Sequence, residues 1–112
     1  PYVRQPISPG RDNLVMVLRG EKDPLHGGQL LMWEAHQDTV PVEGMVIPPW
    51  TPEVRDNRLY GRGSCDIKGG LGVMLATLAR LATEPAAGRP TIVLACTVNE
   101  EYGFTGAKGL VQ

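Results

Sequence analysis

A nearly continuous apolar run from residue 91 to residue 98 constrains the fold more than any other stretch of the chain. Strands that are covered on both faces carry such runs, whereas half-exposed strands alternate between apolar and polar residues. The run therefore predicts a buried strand in a sheet with helices on both faces. Glu100 and Glu101 follow this run directly, so the same strand is expected to carry two carboxylates at its C-terminal end.

Three other segments predict strands by their apolar and β-branched content: residues 13–18, 29–36 and 58–60. The connection between the first two is shorter than the dozen or so residues that a parallel crossover needs, so it permits antiparallel pairing between them. Residues 1–11 and 41–57 are rich in proline or glycine, and both segments are expected to be irregular.

A helix is predicted over residues 68–82, because apolar side chains recur there at three- and four-residue spacing. The positions that form this stripe are Leu71, Met74, Leu75, Leu78 and Ala82. A second helix is expected near Thr105, whose hydroxyl is suited to cap it. The order of strands and helices places the chain in the α/β class with a mixed β-sheet.

The chain has 112 residues and a formal net charge of −1, which suits one small domain without the basic surplus typical of nucleic-acid binding. No apolar stretch approaches the roughly 18 residues of a membrane span, and no signal peptide is visible. Cys65 and Cys96 are too few for a disulfide scaffold, so reduced thiols and a cytoplasmic location are expected. Because the chain starts at Pro1 without an initiator methionine and stops at Gln112, we interpret it as a piece of a longer protein.

His36 and Asp38 stand at the end of the second predicted strand. Residues at positions i and i+2 of a strand lie on the same face, so the two side chains can point into one site. A histidine beside a carboxylate is either a metal ligand with its orienting partner or a general base with its orienting partner. Taken alone, the pair is better explained by a strand-end histidine that a loop satisfies, and the rest of the chain changes that balance.

The glycine-rich segment from residue 61 to residue 70 contains Asp66. It is not a Walker loop, because Lys68 is followed by glycine, and it is not a dinucleotide fingerprint, because Asp66 stands where the third glycine belongs. A carboxylate there would repel phosphate. Asp66 is then either an ordinary helix cap or an acceptor placed on a tight turn for another purpose.

Three carboxylates, those of Asp66, Glu100 and Glu101, are expected near His36. Carboxylates that crowd together after a buried strand cannot all stay ionised without compensation. A dication provides it, and one histidine with several carboxylates suits zinc, with manganese or cobalt as alternatives. If one carboxylate bridged two metals, another could act as a base on water. These residues therefore predict a hydrolytic metal site.

At these positions the chain resembles the co-catalytic zinc amidohydrolases, the family of acetylornithine deacetylases, succinyl-diaminopimelate desuccinylases, aminoacylases and glutamate carboxypeptidases. Its three successive motifs are matched in order by residues 36–41, by 60–63 with 66–70, and by 97–103. The resemblance covers the chain from about residue 13 onward. It implies a zinc-peptidase-like catalytic domain.

The resemblance implies a role for each matching residue. His36 would bind one zinc, and Asp38 would orient His36. Asp66 would bridge two zincs. Glu100 would be the general base, and Glu101 would bind the second zinc.

The resemblance also implies a cis peptide bond between Asp66 and Ile67. It further implies one more acidic ligand and one more histidine from later in the chain, and a smaller inserted domain used in dimerisation and substrate binding. Residues 1–112 are thus expected to be the N-terminal part of the catalytic domain, and the full-length protein is expected to be a homodimer.

The function expected from the resemblance is zinc-dependent hydrolysis of the amide bond of an N-acyl amino acid. One alternative is a dipeptidase or carboxypeptidase of the same family, acting on a short peptide. The alternative from another class is a non-catalytic metal-binding or interaction module, which would not need Glu100 as a base. Of the remaining polar or aromatic residues, His26 is expected at the surface, Cys65 is expected to be packed, and Trp50 is expected to cover an apolar patch or line a substrate wall.

Overall fold

The computed structural model describes residues 2–112, which fold around a four-stranded mixed sheet. The strands of this sheet and of a separate hairpin are β1 (Tyr2–Ser8), β2 (Arg11–Leu18), β3 (Leu30–His36), β4 (Glu53–Arg55), β5 (Arg58–Tyr60) and β6 (Thr91–Thr97). The helices are α1 (Gly69–Leu81) and α2 (Thr105–Leu110). The large sheet has the order β1-β2-β6-β3, and β4 pairs with β5 in the hairpin.

The apolar run that was predicted to be a buried strand is β6, which lies between β2 and β3. It pairs antiparallel with β2 and parallel with β3. All of its residues are buried except Val93, which is half-buried. The prediction of a buried strand is confirmed, and the sheet is mixed because β6 pairs antiparallel with one neighbour and parallel with the other.

Helix α1 covers one face of the sheet with its apolar stripe. The core comprises Leu78, Ile92, Leu94 and Cys96, with Leu14, Met16, Leu18, Trp33, Leu71, Met74 and Leu81 packed around it. Two predicted members of the stripe are corrected, because Leu75 is 40% exposed and Ala82 lies exposed beyond the end of the helix. Leu81 takes their place in the contact with the sheet.

Helix α2 lies on the opposite face. Asn13, which alternates with the core residue Leu14 along β2, hydrogen-bonds to the carbonyl of Gly106 in α2. The two helices therefore lie on different faces of the sheet, and the predicted α/β class with a mixed sheet and helices on both faces is confirmed.

Several details of the predicted elements were wrong. Residues 2–8 form β1 instead of irregular chain, because β2 offers its second edge for antiparallel pairing. β2 and β3 are not paired with each other, because β6 lies between them. Residues 53–55 of the long loop pair with β5. Thr105 is the first residue of α2 and does not cap it, since Phe104 occupies the cap position.

At the start of α1, the backbone at Gly69 approaches the preceding turn closely. A Cβ atom at Gly69 would lie 2.5 Å from the carbonyl oxygen of Ser64. At Gly72 the same atom would meet nothing within 4 Å. The close approach is therefore confined to the start of the helix, where the turn Ser64–Lys68 joins it.

The side chains outside the core differ in how well they were predicted. His26 is exposed, as expected. Cys65 is exposed and not packed. Trp50 is 65% exposed, and its role as a cover or a substrate wall stays a prediction. Across these residues, no helix has the length and apolar character that crossing a membrane requires.

Candidate metal centre

Three segments that are far apart in the sequence meet at the carboxyl ends of β3 and β6. They are the end of β3 with His36, the turn Ser64–Lys68 with Asp66, and the loop after β6 with Glu101. One ligand atom from each of these three residues lies within 4.8 Å of the other two. The structure thus brings together the three residues that the sequence predicted as metal ligands.

The imidazole of His36 is held in one orientation. Its Nδ1 atom lies 3.0 Å from the backbone carbonyl oxygen of Asp38, and its side chain is only 8% exposed. When Nδ1 carries the proton and donates it to that carbonyl, Nε2 keeps a lone pair that faces Asp66, at 3.0 Å from a carboxylate oxygen. That is the nitrogen available to a metal ion.

Asp66 reaches the site from a turn with an unusual backbone. Its φ and ψ of −116° and 96° are not helical, and the peptide bond to Ile67 is cis, as the resemblance implies. The Asp66 side chain is 72% exposed and makes no capping hydrogen bond to α1. The interpretation of Asp66 as an ordinary helix cap is therefore wrong, and its carboxylate is free to face His36.

Asp38 connects β3 to the loop after β6 through both carboxylate oxygens. One oxygen accepts a hydrogen bond from the backbone N–H of Glu100 and the other from that of Glu101, each at 3.2 Å. The carboxylate lies 3.8 Å from Nδ1 of His36, so the backbone carbonyl of Asp38 makes the shorter contact with the ring. Asp38 thus acts on His36 through its main chain and on the two glutamates through its side chain.

Glu100 and Glu101 diverge, as expected of neighbours on an irregular turn. Glu101 belongs to the three-residue cluster, and one of its oxygens accepts a hydrogen bond from the backbone N–H of Val40. Glu100 stands beside the cluster, with a carboxylate oxygen 3.8 Å from Nε2 of His36. This arrangement turns Glu101 towards His36 and Asp66 and leaves the Glu100 carboxylate at the side of the cluster.

The carboxylates change the protonation of His36. Burial alone lowers the pKa of the imidazole, but the hydrogen bond that it donates to Asp66, the contact with the backbone of Asp38 and the charge of Glu100 outweigh burial, so that the pKa lies above its ordinary value of 6.5. Without a metal, a proton on His36 is stabilised by the neighbouring negative charge. A cation placed among these groups would displace that proton.

The donor set fits a divalent metal ion by its chemistry. One imidazole nitrogen and two carboxylates are ligands that zinc accepts, and manganese and cobalt accept them as well. Zinc binds such donors at about 2.0–2.2 Å, so the ligands of one ion lie within about 4.4 Å of one another. The cluster is close to that size, so its ligands, with Asp66 shared, lie near enough to one another to hold divalent ions.

Two residues that support the site through hydrogen bonds, Gln37 and Lys68, were not predicted from the sequence. The Gln37 side-chain amide donates to the carbonyls of Asp12 and Cys96, at 3.2 and 2.7 Å. The Lys68 ammonium donates to the carbonyl of Gln37, which ties the turn of Asp66 to the end of β3. Gln37 lies between His36 and Asp38, and Lys68 lies two residues after Asp66. These positions are the only sequence signal that could have indicated the two roles.

Comparisons with known proteins agree with this geometry. Residues 32–112 match the family model described as peptidase family M20/M25/M40. The chain is 35% identical over 86 residues to the succinyl-diaminopimelate desuccinylase of Methylococcus capsulatus, an alignment that covers 74% of this chain and 22% of that protein. The crystal structure of a tripeptidase from Staphylococcus aureus superposes with a TM-score of 0.66 at 26% identity, over 97% of this chain and 29% of that one.

The matched residues include His36, Asp38, Asp66, Glu100 and Glu101. The chain belongs to peptidase family M20/M25/M40, and the resemblance to this group of amidohydrolases is confirmed. It spans about a fifth of the length of the curated relative and under a third of the solved structure.

Proposed function

We propose that the full-length protein is a metal-dependent hydrolase of the amide bond in N-acyl amino acids, of the acetylornithine deacetylase or succinyl-diaminopimelate desuccinylase type. In this proposal residues 1–112 are the N-terminal part of its catalytic domain. The observation that carries it is the cluster of His36, Asp66 and Glu101, whose ligand atoms lie within 4.8 Å of one another. The similarity to a succinyl-diaminopimelate desuccinylase supports the substrate class.

The proposed metal is zinc, two ions per chain, with cobalt or manganese as alternatives. His36 would hold one ion, Glu101 the other, and Asp66 both. When bound, the ions supply Lewis acidity that polarises the amide carbonyl and makes water a better acid. Further ligands would come from later parts of the protein.

Within the proposed reaction, Glu100 is the general base. Its carboxylate accepts a proton from the water that attacks the amide carbon and returns a proton to the leaving nitrogen, so that the amide is cleaved into an acid and an amine. Its position 3.8 Å from Nε2 of His36 places it beside the ligand cluster. Asp38 holds the backbone of both glutamates and does not itself exchange protons.

A peptidase acting on short peptides is the second candidate, because the solved structure with a TM-score of 0.66 is a tripeptidase. A dimeric assembly and a cytoplasmic location remain predictions. The non-catalytic binding module remains the alternative from another class, and the geometry of Glu100 beside the cluster favours the enzyme.

The test is a substrate panel with the full-length, zinc-loaded protein: N-succinyl-diaminopimelate, N-acetylornithine and a tripeptide, each at matched concentration. The proposal expects release of amine from an N-acyl amino acid, and release that is slower by roughly 10²–10⁴-fold with the Glu100→Gln protein. Faster cleavage of the tripeptide would favour the peptidase. Zinc binding without hydrolysis of any of the three would favour the binding module.

A further inference from the structure

Asn13 is a fully buried polar residue for which the proposed chemistry has no role. It is 0% exposed, and both the nitrogen and the oxygen of its side-chain amide form hydrogen bonds. The Nδ2 group donates to the carbonyl of Gly106 at 2.8 Å and to the Gln5 side chain at 3.0 Å. The Oδ1 atom accepts from the backbone N–H of Val98 at 3.0 Å.

The two backbone partners of Asn13 are the ends of one loop. Val98 is the last residue before the loop and Gly106 lies in the first turn of α2, and they are also joined directly, by a 3.0 Å hydrogen bond from the N–H of Gly106 to the carbonyl of Val98. A second hydrogen bond of 2.8 Å, from the N–H of Phe104 to the carbonyl of Asn99, joins two residues that lie inside the loop. Asn13 therefore clamps the base of a closed loop.

Gly106 is required for this clamp. A Cβ atom there would lie 2.4 Å from the carbonyl oxygen of Val98, 2.5 Å from its nitrogen and 2.6 Å from Oδ1 of Asn13. The backbone of Val98 and the buried amide of Asn13 leave no room for a side chain at residue 106. Helix α2 can therefore approach the end of β6 this closely only at a glycine.

The clamped loop carries Glu100 and Glu101. At its tip, their backbone N–H groups are held by the carboxylate of Asp38, while at its base Val98 and Gly106 are held by Asn13. We propose that Asn13 is a positioning residue, which fixes the loop so that Glu101 can bind the second metal ion and Glu100 can stand beside it. This inference rests on the proposed function, since it assigns those two glutamates their work.

The experiment compares three full-length proteins: wild type, Asn13→Leu and Thr91→Val. Leucine matches asparagine in size but makes none of the hydrogen bonds. Thr91 is the control because it is also buried and also accepts one hydrogen bond, from Gly20 at 3.1 Å, but lies at the opposite end of β6. Zinc affinity is measured by competition with a chelator, and backbone mobility by amide hydrogen exchange.

Asn13→Leu is expected to weaken the second zinc equivalent by roughly 10- to 100-fold, the effect typical of a residue that supports a metal ligand, while the first equivalent, held by His36, changes little. Hydrogen exchange at the amides of Glu100 and Glu101 should accelerate, with that of Leu94 in β6 unchanged. Thr91→Val should leave the zinc affinities and the amide exchange rates at their wild-type values.

Equal loss of both zinc equivalents, or unchanged exchange at Glu100 and Glu101, would overturn the positioning role and leave Asn13 as a residue that only supports the fold. If Asn13→Leu does not fold, Asn13→Asp decides, because it keeps the acceptor for Val98 but loses the donors to Gly106 and Gln5. The same selective loss is expected from it, and wild-type zinc binding by it would contradict the inference.

Failure of the proposed function has a different signature. A wild-type protein that binds no zinc would contradict the metal site. The hydrogen-exchange comparison would still decide whether Asn13 holds the loop, because that measurement needs no metal.

Discussion

The Nε2 atom of His36 lies 3.0 Å from a carboxylate oxygen of Asp66, a residue 30 positions later in the chain. The two side chains differ in environment, since that of His36 is 8% exposed and that of Asp66 is 72% exposed. When the imidazole is protonated, this contact is an ion pair. With a metal, both groups would be ligands, so proton and metal compete for the same nitrogen.

That competition predicts how zinc affinity depends on pH. The pKa of His36 in the folded protein lies above 6.5, because its carboxylate partners outweigh burial. Zinc affinity should therefore rise as the pH passes upward through the pKa of the folded state, and level off above it. Competition titrations from about pH 6 to pH 8, the range in which histidines titrate, check this. An unchanged affinity across that range would contradict it, and His26→Ala, at an exposed loop position, is the control.

The same shift predicts the opposite trend for the stability of the metal-free protein. A pKa that is raised on folding adds stability below the unfolded value near 6.5, and that contribution is lost as the pH rises through the folded value. Denaturation of the metal-free protein should show a loss of stability over this range that His36→Ala abolishes. A loss of the same size in the His36→Ala protein would assign the effect to other groups.

Asp38→Asn tests the connection between β3 and the glutamate loop. The amide keeps one oxygen, so only one of the two N–H groups of Glu100 and Glu101 keeps its acceptor. We expect an intact fold with metal affinity or activity lower by roughly 10- to 100-fold, measured by metal analysis and steady-state kinetics. Asp12→Asn is the matched control, because that carboxylate bonds Arg4 on the surface instead. If the Asp38→Asn protein kept wild-type zinc content and activity, Asp38 would have only a structural role at the end of β3.

A pair of glycine substitutions tests the packing of the two helices. Gly72→Ala places a methyl group in open space within α1 and should stabilise the protein by about 0.5–1 kcal/mol. Gly106→Ala places it within 2.6 Å of three atoms and should destabilise by about 1–3 kcal/mol, as overpacking does. The midpoints of urea denaturation rank the full-length variants by stability. A Gly106→Ala midpoint at or above that of the wild type would contradict the close approach of α2 to β6.

Two features of the structure could be predicted because local sequence patterns determine them. Burial of β6 followed from its continuous apolar run, and the pairing of His36 with acidic groups followed from their places at strand ends. The order of strands did not follow, because β6 is inserted between β2 and β3 by pairings between segments far apart in the chain. A short loop between two strands permits pairing but does not require it.

The supporting residues of the site were also beyond local patterns. Asn13 sits in an apolar run and gives no sign that its amide will meet Val98 and Gly106, whose positions are 85 and 93 residues away. Asp38 was expected to orient His36 with its carboxylate, whereas the closer contact comes from its backbone carbonyl. Such contacts depend on where the loop after β6 lies, which only the assembled sheet determines.

The most direct test of the central claim compares Glu100→Gln with Glu101→Gln in the full-length protein, by metal analysis and by hydrolysis of N-succinyl-diaminopimelate. Glutamine keeps the shape of either residue but accepts no proton at catalytic pH. Glu100→Gln is predicted to keep both zinc ions while turnover falls by roughly 10²–10⁴-fold, the contribution of a general base. Glu101→Gln is predicted to lose the second zinc. A fully active Glu100→Gln protein, or one that loses zinc while Glu101→Gln retains it, would contradict the account.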